Sequence, residues 1–531
     1  MFIRAKKHPN TDKTTVLICH SKRSGKKVRQ VILKRIGCSS REEEIIKLQK
    51  IAQYELALLK KQPMTDRFTE TNSLIKLSDL KEVNRSHVGI KDIFGKLFNE
   101  LGFHTILTEK DSDNLKLLIA ARITEPSSKL RASEILQKKF GLDLSVDSIY
   151  RLLDKLQENS KLFEEKVFEA TKEVSGGSVD LLLFDVTTLS FETIEKDELR
   201  NFGFSKDHKF NTTQVVLALA TNKEGLPIGY KLFPGNTAEV KTLIACINSW
   251  KEYLKIGQVI FVADRGLMSK DNIKLLEDNG MLYIVACPLR KLSEQTKELI
   301  FDKNNYGLRE IDDKTISWIK ELEVGKNSRL IVSYNSKRHS KDKKDRETLI
   351  AKIEKKLGKQ PKAKKLVSNK GYIKYTSIAD ECIAVLNEKK VHEDEKWDGL
   401  HGVLTNADLD SAEILRRYKN LWVIEESFRI NKHNLEMRPI YHHTPKRIQS
   451  HILLCFLTFA LLRQAHHKLK TSDVNISIED LREELIDVQA SVLCNSRTGE
   501  LFKMPSAVTE NVKDIYNTFN VPLGGAIQNY I

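Results

Sequence analysis

Cysteine pairs, long apolar runs and internal repeats are what this 531-residue sequence has least of. Its seven cysteines (Cys19, Cys38, Cys246, Cys287, Cys382, Cys455 and Cys494) are scattered without any CxxC spacing. That argues against a structural zinc site or a disulfide framework and fits a reducing compartment. The longest uninterrupted apolar stretch, Ile452 to Leu462, is well short of the roughly 20 residues a membrane-spanning helix needs. The opening MFIRAKKHPN has no apolar core of signal-peptide length. The expectation is a cytoplasmic protein with no membrane partner. No serine or cysteine sits in a nucleophile elbow or has a matching histidine, which disfavours covalent catalysis.

Positive charge, by contrast, is abundant and unevenly placed. The formal charge is +16, yet residues 1–35 hold eleven Lys/Arg against the single acid Asp12, and residues 337–370 hold fourteen against four. Two segments of +10 each within a total of +16 leave the rest of the chain at −4. Two basic segments on a nearly neutral body suit a polyanion, because each neutralised phosphate releases counterions and adds sequence-independent affinity. Solvated lysine-rich loops are the plainer alternative.

The first forty residues alternate as strands do, TTVLICHS and then KVRQVILKRIG, with Ser24-Gly25 as a turn, so a basic hairpin is expected. Helical periodicity follows from Glu42 and again from His87 to Val174. Within it, Ser145 to Gln157 reads as a recognition helix or as an ordinary amphipathic bundle helix. After Gly177 come three strand patterns (VDLLLFDVTTLSFE, TTQVVLALATN, GLPIGYKLF), a helix from Ala238 to Tyr253, the strand VIFVAD, a helix from Lys270 to Asn279 and the strand MLYIVAC. Strand-strand-strand-helix-strand-helix-strand is the order of the RNase H-like fold. Residues 288–405 break the rhythm with short alternating runs and read as a mainly β insertion. Helix returns at Asp408, and the tail beyond Asp473 carries one helical pattern, Ile478 to Leu493, before fading into loop.

Three acids stand out in this basic chain. Asp185 closes LLLFD, Asp264 closes VIFVAD, and Glu425 lies within YKNLWVIEESFRINK. In the expected topology Asp185 ends the first strand and Asp264 the fourth, side by side. A phosphodiester is anionic and a poor electrophile, so its cleavage benefits from two divalent ions about 4 Å apart. Hard cations require oxygen ligands from separate elements meeting at one point. Tyr418, Glu425 and Lys432, seven residues apart, are expected on one face of a single helix together with Arg429, with Trp422, Ile424 and Phe428 packed behind it. Auxiliary acids (Asp180, Glu192, Asp207) and histidines (His442, His443, His451) nearby fit better as bystanders or surface groups.

The spacing Tyr418-x2-Leu421-x3-Glu425-x6-Lys432 resembles the Tyr-x2-Arg-x3-Glu-x6-Lys signature of DDE insertion-sequence transposases of the insertion-sequence-four superfamily. The adjoining DVTTLSFE, GFSKDHKFNTTQVVLALATNKEGLPIGYKLFPGN, VADRGLMS and LEMRPIYHHTPKRIQSHILLCFLTFALL resemble its 1634-type branch, over roughly residues 1 to 465. Leu421 replaces the signature arginine, with Arg417 or Arg429 as substitutes. The resemblance implies Asp185, Asp264 and Glu425 as ligands of two Mg²⁺ ions, with Mn²⁺ able to replace them. It implies Tyr418, Arg429 and Lys432 as DNA-positioning residues, and Trp397 as a candidate for stacking on a flipped base, against the plainer reading of a strand Trp in a β core. The implied activity is cut-and-paste transposition: cleavage at terminal inverted repeats, then joining of 3′-hydroxyl ends to target DNA by a homodimer in a paired-end complex, in a bacterial, nucleoid-associated setting. The rivals are a transposase-derived DNA-binding protein without activity and an RNase H-like nuclease that only hydrolyses. On this reading the fold class is α/β, an RNase H-like core with a mainly β insertion, plus an α-rich N-terminal region preceded by a basic β-hairpin. The divisions expected are 1–95 (basic, DNA-binding), 96–175 (helical, DNA-binding or linker), 176–287 (core), 288–405 (β-rich insertion), 406–470 (core, signature helix) and 471–531 (C-terminal, dimerisation).

Overall fold

Alternating apolar and basic residues at the N-terminus do form strands: β1 (Phe2–Lys7), β2 (Thr14–Ser24) and β3 (Lys27–Ser39) make an antiparallel sheet in the order β1-β2-β3. The expected hairpin thus has a third strand, registered from Phe2↔Cys19 to Lys7↔Thr14. The computed structural model describes residues 2–8, 13–24, 27–59, 77–203, 211–253, 260–264, 269–313, 315–325, 327–357, 374–379, 383–524 and 527–530. Asp207, Gly25, Cys382 and the lysines between Lys359 and Lys370 lie outside them. Two compact units divide the chain, one from Met1–Val167 with Ile430–Ile531 and one from Phe168–Arg429. In the first, Val16 and Ile18 of β2 meet Ala52 of the helix Glu42–Leu59 in a small core. Strand β4 (Leu80–His87) precedes a run of helices. Glu109–Thr124, Lys129–Phe140 and Val146–Glu158 each begin at a hydroxyl N-cap, Thr108, Ser128 and Ser145. Each hydroxyl accepts from a backbone N–H that the first helical turn leaves without an intrahelical partner.

The second unit is built on a nine-stranded mixed sheet. Its central elements run β5 (Leu181–Ser190), β6 (Gln214–Thr221), β7 (Pro227–Pro234), the helix Glu239–Tyr253, β8 (Ile260–Ala263), the helix Lys270–Asp278 and β9 (Leu282–Cys287). Residues 288–405 then contribute β10 (Gly307–Asp312), β11 (Thr315–Val324), β12 (Ser328–Tyr334), a small pair β13 (Thr376–Ala379) and β14 (Ile383–Leu386), and β15 (Leu400–Thr405). The sheet order is β10-β11-β12-β15-β9-β8-β5-β6-β7, with β5, β8 and β9 parallel and the other neighbours antiparallel. Four strands of the expected insertion therefore extend this same sheet. That segment also holds a 22-residue helix, Ser336–Leu357, in a region whose short alternating runs suggest mainly strand.

One face of the sheet is a packed core. Leu182, Phe184 and Val186 of β5, Val216, Ala218 and Ala220 of β6, Phe261 and Ala263 of β8, and Tyr283 and Val285 of β9 meet Leu243, Cys246, Ile247 and Trp250 of the helix Glu239–Tyr253. Side chains alternate across a strand. The intervening residues, Asp185 among them, therefore belong to the opposite face.

The chain closes by returning to the first unit. The helix Pro445–Thr471 is long and apolar enough to cross a membrane by length and composition, but 94% of its apolar window is buried inside the protein. Val146–Glu158 packs against it through Ile149, Leu152, Leu153 and Leu156, which makes the segment a bundle helix. The tail does not fade into loop. After the helix Ile478–Asp487 come β16 (Gln489–Asn495), β17 (Leu501–Pro505), the helix Glu510–Thr518 and β18 (Gln528–Tyr530), in a sheet ordered β18-β17-β16-β4. The partner that turns Gln489–Asn495 into a strand is β4, registered Gln489↔His87, some four hundred residues earlier.

Candidate active site

Register places the two aspartates together. β5 and β8 pair in parallel from Leu181↔Ile260 to Phe184↔Ala263, so Asp185 and Asp264 are the next residue on each strand. Neighbouring strands lie about 5 Å apart. Phe184 and Ala263 both point into the packed core, so both aspartates fall on the other face. Asp185 does not end its strand, as the apolar run suggests. β5 continues to Ser190, paired with β6 (Asp185↔Leu219 through Ser190↔Gln214), because the β-branched and apolar residues of VTTLS still have a partner on that side. What ends at Phe184 is only the pairing with β8. Asp185 is partly buried and Asp264 exposed.

Glu425 is carried by the helix Leu421–Arg429, which packs against β5 and β6 through the buried Val423, Ile424, Ser427 and Phe428. None of these four belongs to the core on the Trp250 side. The helix therefore covers the face that holds the aspartates. Glu425 is exposed at the margin of its buried stripe. Among the described residues, no three Asp, Glu, His or Cys side chains already stand close enough to hold a metal ion. Oxygen donors on two adjacent strand positions, with a third on the overlying helix, are the donor set a hard divalent ion requires.

The signature segment is not one helix. Ser411–Lys419 ends at Asn420, Leu421–Arg429 follows, and Ile430–Asn434 is a π-helix. The seven-residue phase expected for Tyr418, Glu425 and Lys432 does not carry through two interruptions, since each resets the rotation about the axis. Trp422 is 56% exposed and does not pack behind Glu425. Arg417 donates through Nε to Glu413 at 2.7 Å and Arg429 pairs with Glu426 at 3.6 Å. Lys432, on the π-helix, is partly buried.

Tyr418 instead belongs with a residue the sequence did not single out, His401. Their rings stand 5.0 Å apart, tilted by 41°. Both line a cavity of about 910 Å³ together with Asp264, Arg338, Arg346 and Trp397. On β15, Leu404 faces the Trp250-side core, so alternation turns His401 to the face of Asp264. Burial pushes the His401 imidazole down to about 4, the nearby Arg338 charge adds to this, and the charge of Asp264 opposes it. His401 is therefore neutral at physiological pH. The available signal was its place in LHGVLT, where period-2 alternation sets it opposite Leu400 and Leu404. Trp397 lies in the turn after the helix Glu388–Glu395 rather than on a strand. Its ring meets Phe301 at 4.6 Å and the Arg290 guanidinium at 5.8 Å.

Among the discounted groups, Asp180 and Glu192 are exposed. His442 and His451 are buried in the first unit rather than at the surface. His451 accepts at Nδ1 from Lys129 Nζ at 3.2 Å and donates from Nε2 to the Met437 carbonyl at 3.1 Å.

Acidic residues on adjacent strands of a mixed sheet, an acidic helix over the same face and a cavity rimmed by arginines define an α/β protein suited to phosphodiester chemistry. Residues 178–461, more than half of the chain, match the family model described as the transposase DDE domain. The chain belongs to this family, and is thereby a DNA-cleaving transposase. No curated protein matches it. Among solved structures, a cryo-EM structure of the piggyBac transposase synaptic complex with hairpin DNA is similar over 75% of this chain and 76% of that one, at 9% identity and a TM-score of 0.39.

Proposed function

We propose that the chain is a cut-and-paste transposase of the insertion-sequence-four superfamily, with an RNase H-like core that cleaves at the terminal inverted repeats of its own element and joins the 3′-hydroxyl ends to target DNA. The observation that carries this reading is the consecutive register of Phe184↔Ala263, which sets Asp185 and Asp264 side by side on the face covered by the Glu425 helix. The order β7-β6-β5-β8-β9 within the sheet, with only β5, β8 and β9 parallel, supports the RNase H-like assignment.

Asp185, Asp264 and Glu425 would hold two Mg²⁺ ions, which when bound activate the attacking oxygen and stabilise the leaving one. Around them the chain's own groups bind and orient DNA. Arg429, 63% exposed at the end of the Glu425 helix, places a cation beside the scissile phosphate. Tyr418, held against a neutral His401, presents a phenol without adding charge. Lys432 contributes a further phosphate contact. Water and then a DNA 3′-hydroxyl serve in turn as nucleophile at one phosphate position, so that a single site runs cleavage and joining. Two ends must be held at once, and a homodimer supplies two such sites.

The test incubates the full-length protein with Mg²⁺ and duplexes carrying the inverted repeats that flank its gene. Cleavage followed by strand joining is expected. Asp185→Ala, Asp264→Ala and Glu425→Ala should each abolish both while leaving duplex binding intact. Activity surviving in one variant removes that residue from the site, and hydrolysis without joining would replace transposition by simple nuclease action.

A further inference from the structure

The helix Ser336–Leu357 carries Lys337, Lys341, Lys344, Lys352 and Lys355, all exposed. At 3.6 residues per turn these five fall within about 80° of one another around the axis. They span 18 residues, roughly 27 Å of helix. No acid shares the stripe: Asp345, Glu347 and Glu354 flank it, and Asp342 lies toward the buried side. Arg338 and Lys343, off the stripe, are paired, with Asp342 at 3.8 Å and with Glu347 at 4.0 Å. Among the described residues, none of the five stripe lysines is paired with a carboxylate.

The opposite face fixes the helix in place. Ile353 is fully buried against Tyr375 and Val391, with Leu349, Ile350 and Leu357 packed around them. Arg346 reaches Asp398 at 2.5 Å, and the neighbouring Gly399 N–H donates to Asp342 at 3.0 Å. Gly399 has φ +78° and a Cβ there would stand 2.8 to 2.9 Å from Tyr334, Asn335 and His339, so the chain approaches the start of the helix as only glycine allows. The lysine face is thus presented outward from a fixed base. Like charges at i,i+3 and i,i+4 destabilise a free helix, so the stripe is a cost unless a polyanion meets it.

We propose that this lysine face is a docking surface for the phosphate backbone of duplex DNA. The proposal rests on the transposase reading for the kind of polyanion and adds where it is gripped. A 27 Å run of duplex carries roughly 16 phosphate charges, so five lysines over that length match a backbone rather than a single phosphate. Lysines are point charges, and the stripe has no Arg, Asn or Gln with which to read base edges. The surface therefore adds affinity without sequence preference, wherever the DNA ends are chosen.

The test measures binding of the full-length protein, without Mg²⁺, to a duplex bearing the inverted repeat and to a scrambled duplex across a salt series. Replacing the five stripe lysines together by glutamine should lower the slope of log affinity against log salt by about 4, at roughly 0.9 per lost contact. Affinity at moderate salt should fall about 100-fold or more, equally for both duplexes. Replacing all five by arginine should preserve slope and affinity. A control with five glutamines at the exposed Lys223, Lys274, Lys303, Lys470 and Lys513 should change the slope by less than about 1. An unchanged slope in the stripe variant overturns the proposal, as does an equal loss in the control. If the wild-type protein cleaves its ends and the stripe variant binds as it does, this proposal alone fails; if the wild-type protein binds neither duplex, the transposase reading fails with it.

Discussion

Replacing Asp398 by alanine should loosen the lysine helix selectively. Arg346 and Asp398 form an ion pair at 2.5 Å with each side chain only 5% exposed, and the next carboxylate to Arg346, that of Glu395, is 3.7 Å away. Unit charges about 4 Å apart attract by roughly 4 kcal/mol at an effective dielectric of 20. Removing one member of such a pair typically costs about 3–5 kcal/mol, because the other is left desolvated. Here Arg346 and Asp398 both line the 910 Å³ cavity, and solvent there reduces the expectation to about 2–3 kcal/mol. A chain of two units does not unfold in one step, so the fitting assay is native-state hydrogen exchange rather than a global melt. Amides of Ser336–Leu357 should exchange roughly 30- to 150-fold faster in Asp398→Ala, at 1.36 kcal/mol per factor of ten. A paired replacement, Arg346→Met with Asp398→Asn, should recover most of the loss, since no charge is then stranded. Unchanged exchange in this helix, or acceleration spread evenly over the second unit, would refute the reasoning.

Acid should weaken the first unit through His442. Burial and the charges of Lys129, Arg447 and Arg122 push this imidazole down to about 3. The unfolded chain takes up a proton as pH falls through about 6.5 while the folded one does not, so the stabilisation is complete above that pH and drains by about 1.4 kcal/mol per unit below it. Urea midpoints at pH 7.5 and pH 5 should differ less in His442→Gln, and an identical difference would exclude the histidine as the cause. Phe184 lies fully buried beneath Asp185, its ring 5.3 Å from Phe261 and 6.0 Å from Trp250; Phe184→Ala should cost about 3–5 kcal/mol by cavity formation, read by native-state hydrogen exchange of the central strands, whereas Phe184→Leu should cost much less. Ser145→Ala removes the cap that accepts from Ser148 N and should cost about 1 kcal/mol, measured by hydrogen exchange of the Val146–Glu158 amides. His401→Phe keeps a ring against Tyr418 and adds no charge, so duplex binding should persist; a loss as large as that from Tyr418→Ala would mean that the imidazole itself contacts DNA.

What the sequence disclosed, and what it hid, divides by the range of the interactions involved. β5 to β9 and the helices between them were legible because apolar alternation and helical periodicity are local. The extent of β5 was not, since VTTLS is a strand only while β6 lies beside it. Asn420 and the π-helix at Ile430 carry no strong local signature, so Tyr418 to Lys432 read as a single helix although the structure divides it. Lysines at 337, 341, 344, 352 and 355 looked like part of a solvated run; they become one face only once Ile353 and its neighbours are seen to hold a helix against Tyr375 and Val391. His401 was hidden because a lone histidine in a strand says nothing until its neighbours across the sheet are known.

The pairing of β4 with β16 also sets a timetable. His87 emerges from the ribosome about four hundred residues before Gln489, its partner in the sheet. At roughly 5–20 residues per second, that leaves β4 without its neighbour for about 20 to 80 seconds of synthesis. During that interval its edge is open to other chains, a recognised route to aggregation. A transcript cut short before Gln489 would therefore yield a chain with an unclosed N-terminal unit, however completely its central sheet had folded.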